Sequence, residues 1–129
     1  MARTALGITL EERDKYNPRM MLEKRTDEDK ERLAERFDEA WRLARDAASL
    51  LHHQYYAHRV VVFGSLVNAD WFNDWSDIDL AAWGIPPEQF YTAVAAVTGL
   101  SEHFKIDLLD PDTCRPDLRQ AIEKEGIEV

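Results

Sequence analysis

The chain has one cysteine, Cys114, among 129 residues. That excludes an internal disulfide and suits a reducing compartment. No His–Asn pair can be placed beside it from the sequence, so it reads as a buried or incidental thiol. No apolar stretch is long enough to span a bilayer. The opening MARTALGITLEERDKYNPRMM lacks the apolar core of a secretory signal. A cytoplasmic protein without a membrane partner is therefore expected. Positive charge is also scarce, with 16 Lys and Arg against 25 Asp and Glu, a net charge of −9. Such a balance argues against holding nucleic acid in a broad basic field.

The deficit is uneven. Residues 1–56 carry 11 basic and 12 acidic side chains, whereas residues 57–129 carry 5 and 13. Solvated surface accounts for many of these acids, yet a divalent cation would relieve part of the excess in the second half. The chain also lacks internal repeats and low-complexity linkers, and its length is that of one domain.

Residues 1–25 mix charges with Pro18 and a Met20-Met21-Leu22 cluster, an irregular arm expected to pack on the domain or on a partner. Thr26 before Asp27, Glu28 and Asp29 has the form of an N-cap with acids in the first turn. Leu33, Phe37, Ala40, Trp41, Ala44, Ala48 and Leu51 recur at helical spacing, predicting a long amphipathic helix over 26–56. Arg59–Phe63 reads as a buried strand and 77–83 as another, joined by a loop over 66–76. A helix from Pro87 presents Phe90, Val94 and Val97 on one face and stops near Gly99. A strand over 105–109, a turn at Asp110-Pro111-Asp112 and a helix over 116–124 before Gly126 complete the series. The predicted fold class is α+β, a short mixed sheet with packed helices. The organisation is an arm, 1–25, and one domain, 26–129.

The strand pattern carries the chemistry. Asp77 and Asp79 alternate with Ile78 and Leu80, so on one strand they share a face about 6.6 Å apart. At an effective dielectric of ~20, two such charges repel by roughly 2.5 kcal/mol. A cation between them offsets this, and few hard oxygen ligands suit Mg²⁺. A bare pair of acids on a solvated edge strand would be the plainer account. Two features weigh against it. Gly64-Ser65 ends a strand, where a tight turn can offer N–H groups and a hydroxyl to an anion. Asp107, between Ile106 and Leu108, sets a third carboxylate on an apolar strand, the makings of a two-metal site.

Gly64-Ser65, the spaced Asp77-Ile78-Asp79 and the later Asp107 resemble the signature of the DNA polymerase β-type nucleotidyltransferase superfamily. The small size is similar to its minimal nucleotidyltransferases, the MNT antitoxins paired with HEPN toxins, and the likeness covers roughly residues 58–129, the catalytic core. The resemblance implies a polymerase-β-like nucleotidyltransferase fold. Asp77 and Asp79 would hold divalent ions, with Asp107 completing the site and helping to activate the attacking hydroxyl. Gly64 and Ser65 would grip the triphosphate of ATP. The implied activity is transfer of AMP from ATP, with two Mg²⁺ ions, to a tyrosine of a partner HEPN ribonuclease toxin. The toxin would be silenced, in a hetero-oligomer with this chain. Two departures from the family stand out. Eleven residues separate Ser65 from Asp77, one more than is commonest. Leu66-Val67-Asn68-Ala69 stands where the family often has a basic, glycine-containing run.

The missing basic run favours a second reading, a non-catalytic antitoxin that inhibits its toxin by binding, while the intact set of three acids disfavours it. A third is nucleotidyl transfer to a small molecule, although no substrate domain is visible. Trp71, Phe72 and Trp75 could stack on adenine or meet a partner, but folding their loop back onto the domain is the expected role. His52 and His53 are neighbours on a helix and cannot form an i, i+4 metal pair. With His58 they read as a solvated helix end, and Tyr55 and Tyr56 as packing there.

Overall fold

The computed structural model describes residues 26–129; the arm, 1–25, lies outside them. Among the described residues the architecture is α+β, three helices on a mixed four-stranded sheet. Helix α1 (Asp27–Gln54) starts where Thr26 Oγ1 accepts the Asp29 N–H at 3.2 Å, satisfying one of the first-turn donors. It ends beyond Gln54, where the Tyr55 N–H returns to the Leu51 carbonyl and Tyr56 takes a φ of +67°. Four of its six buried residues are alanines: Ala40, Ala44, Ala47 and Ala48. These alanines pack into the main core with the inward-facing residues of the sheet.

Strand β1 (Arg59–Phe63) pairs antiparallel with β2 (Ile78–Trp83), with Val62 opposite Leu80 and Phe63 opposite Asp79. β2 pairs in parallel with β3 (Ile106–Leu109). A parallel pair needs a crossover, and α2 (Phe90–Thr98), entered through a short 3₁₀ turn Pro87–Gln89, supplies it. Helix α3 (Pro116–Glu125) then leads into β4 (Ile127–Glu128), which adds to β1 and gives the order β3-β2-β1-β4.

Alternation divides the sheet. Val60, Val62, Ile78, Leu80, Ala82 and Ile106 face the main core with α1 and α2. Val61 and Ala81 face the other way, packing with Ile122 of α3 and with Leu109 and Leu118. The next row on that second face is Phe63, Asp79 and Asp107, all only half-buried.

Several expectations need adjustment. Asp77 precedes the β2 ladder rather than opening it, because pairing begins with Ile78, whose N–H bonds the Lys105 carbonyl at 2.9 Å. In α2 the expected face of Phe90, Val94 and Val97 also includes Ala93, and it is Ala93 and Val97 that are buried while Phe90 and Val94 are half-buried on the same stripe. β4 has no signal in the sequence: two residues carry no periodicity, and its pairing with β1 is settled by distant contacts. His52 is not a solvated helix end. Half-buried, its Nδ1 lies 2.8 Å from the Ala57 carbonyl oxygen and its Nε2 3.1 Å from that of Val129. No helix among the described residues is long and apolar enough to cross a membrane.

Candidate functional site

The site begins with the register of three strands. Phe63 on β1 faces Asp79 on β2, and Asp79 faces Asp107 on β3. Register partners in adjacent strands place their side chains on the same face about 4.8 Å apart, so the two carboxylates are neighbours. Each is flanked along its strand by residues buried in the main core, Ile78 and Leu80 beside Asp79, and Ile106 before Asp107. The apolar alternation that makes the core therefore drives both acids to the opposite face.

β1 ends in a 3₁₀ turn, Gly64–Val67. Gly64 has a φ of +77°, and a Cβ there would lie 2.5 Å from Asp79 Oδ2. Glycine is needed twice over, for the left-handed backbone and for the approach of the carboxylate. The turn and the acid predicted as partners are thus in contact. Ser65 follows half-buried, and Leu66 is fully buried, pinning the turn to the core.

The electrostatics follow from this packing. Burial, then the charge of Asp107 and then that of Asp77, pushes the Asp79 carboxyl up to about 6, with Lys105 working in the opposite direction. Lys105 Nζ lies 3.6 Å from Asp107 Oδ1. The sequence signal for this lysine is the i, i+2 spacing of Lys105-Ile106-Asp107, which puts both charges on one strand face. The crowding of carboxylates around a half-buried Asp79 is the environment a divalent cation would relieve.

The three predicted ligands are not drawn equally together. Asp79 and Asp107 are register partners, while Asp77 stands off the ladder and contributes the weaker repulsion. Among the described residues no three His, Cys, Asp or Glu side chains are gathered tightly enough to form a ready metal cage. An open set of acids is what a hydrated Mg²⁺ uses when substrate oxygens complete its shell.

The loop between the two halves of the motif is well anchored. Phe72 is fully buried and meets Phe37 edge-on, with ring centroids 5.2 Å apart. Arg32 clamps the Asp74 carboxylate through both terminal nitrogens, at 2.8 and 3.3 Å, and Arg36 donates to the Asp74 carbonyl. Folding back, the role expected of this loop, is met by Phe72. Trp71 and Trp75 do not follow it, remaining 54% and 70% exposed. Cys114 is half-buried, its Sγ 3.3 Å from the Pro111 carbonyl oxygen. No protein-family model matches the chain, and no curated protein matches it either.

Proposed function

We propose that this protein is a divalent-metal-dependent nucleotidyltransferase with the polymerase-β-like fold. It would transfer AMP from ATP to a tyrosine of a partner HEPN ribonuclease, as an MNT-type antitoxin. One observation carries the reading: Asp79 and Asp107 lie side by side across two strands, with Asp79 packed against the Gly64 turn. Asp79 and Asp107, joined by Asp77, would hold the cation, and the turn at Gly64 and Ser65 would take the triphosphate. Bound Mg²⁺ would supply positive charge where negative charge develops on the phosphate oxygens.

Asp107 would accept the proton of the acceptor phenol as its oxygen bonds to the α-phosphorus. The bond from that phosphorus to the bridging oxygen breaks, and pyrophosphate leaves with the electron pair. The half-buried setting of Asp79 excludes part of the water that would weaken its hold on a cation.

The test uses ATP labelled at either the α- or the γ-phosphate, with Mg²⁺, the full chain and its co-purifying partner. Label should stay on the partner only from the α position and vanish with Asp79→Asn. The binding-only reading draws on the absence of any basic residue in the Gly64–Val67 turn. It predicts a stable complex that retains neither label, and that result would sink the transferase.

A further inference from the structure

Beside the carboxylate row, the same sheet face carries a cavity of about 180 Å³. Phe63, Val67, Trp71, Leu118 and Ile122 make apolar walls, and Gly64 joins the lining. Since Gly64 also packs against Asp79, this turn lies between the cavity and the acids. Glu125, an exposed acidic residue of α3, also lines it.

Trp71 is the unusual wall. The loop that bears it could have buried the indole, as it buries Phe72. Instead its backbone is held by local bonds: the Trp71 N–H reaches the Asn68 carbonyl at 2.9 Å, and the Asp70 N–H reaches Asn68 Oδ1 at 2.9 Å. A large aromatic surface is thereby kept half-exposed on a fixed support at the mouth of an apolar cavity, a form suited to stacking.

We propose that this cavity receives the planar base of the nucleotide, with Trp71 as its stacking partner; this rests on the nucleotidyl-transfer reading above. The spacing selects the base over the acceptor. Phe63 is the register partner of Asp79, so the cavity stands one or two strand spacings, ~5–10 Å, from the acids. That is the span a ribose bridges between the α-phosphate and the base. An acceptor oxygen, by contrast, must come within ~3–3.5 Å of the phosphorus it attacks, which puts it over the acids. The apolar walls suit the π-face of a base, and the Glu125 carboxylate can accept from a ring amino group, favouring amino-bearing bases.

Calorimetric titration of the full chain with Mg²⁺ tests the assignment, using α,β-methylene-ATP and inorganic tripolyphosphate as separate ligands. The wild-type protein should bind the nucleotide analogue more tightly than tripolyphosphate. Trp71→Ala should lose affinity for the analogue on the order of tenfold, the scale of one stacked base, with tripolyphosphate unchanged. Ala121→Phe, which fills the cavity from an exposed position on α3, should give the same selective loss and guards against a folding defect in the first variant. Equal affinity for the analogue in all three proteins would overturn the base site and leave the transferase standing. If the wild-type protein binds neither ligand, nucleotidyl transfer fails and the base site falls with it.

Discussion

Asp79 shows how one residue's environment becomes a measurable property. Its folded-state pKa, about 6, lies above the ordinary value of 3.8 because burial and neighbouring acids disfavour its charge. The folded chain therefore takes up this proton more readily than the unfolded one, and stability falls as pH rises from about 4 to 6. Above that window the full penalty applies, and below it both states are protonated. Asp79→Asn should stabilise the fold by on the order of 1 kcal/mol at pH 8, discounted for solvent reaching the half-exposed carboxyl, and by almost nothing at pH 4. Thermal melts of both proteins across that range check this, and a gap independent of pH contradicts it. Gly64→Ala should destabilise by roughly 1–3 kcal/mol, since it forces a side chain into a left-handed backbone and against Asp79 Oδ2. Urea unfolding gives the size. The glycine-serine pair and the acid were both visible in the sequence, but not that the backbone of one packs against the carboxylate of the other.

At the scale of elements, the 68–76 loop divides its aromatic residues between support and display. Phe72→Ala removes a fully buried ring packed on Phe37 and should cost about 3–5 kcal/mol. Trp75→Ala, at an exposed position, should stay within about 0.5 kcal/mol. Denaturant midpoints for the two variants would separate the roles, and similar losses would mean that the exposed indole anchors the loop too. Sequence composition could not assign these parts, because three aromatic residues within five positions look alike until the partner helix is in place. β4 had the same difficulty. Gly126 lets the chain turn directly from α3 into β4, where a Cβ would overlap Val61 and the Ile122 carbonyl.

For the whole molecule, the dominant fact is an acidic chain whose excess gathers in its second half. If the carboxylate row takes a divalent cation, the folded state gains RT ln(1 + [L]/Kd), roughly 2.7 kcal/mol at a hundredfold excess over Kd. Millimolar Mg²⁺ should therefore raise the melting temperature, whereas NaCl of matched ionic strength should not reproduce the rise. Asp79→Asn and Asp107→Asn should each abolish the Mg²⁺ increment. An equal response in wild type and variants would mean general screening of the acidic surface rather than a site.

By itself the sequence determined the elements whose signals are local. The Thr26 cap, the alanine-rich stripe of α1, the valine run of β1 and the proline start of α3 each act through residues a turn or a pleat apart. It also determined that Asp79 and Asp107 must lie on the polar side of their strands, since Ile78, Leu80 and Ile106 claim the other. Tertiary structure alone decided that the two strands are parallel neighbours in a register that makes these acids adjacent, and that Asp77 lies just outside that ladder. It also decided which aromatic rings are buried. Those outcomes depend on contacts between residues far apart in the chain, and no period in the sequence encodes a distance across a sheet.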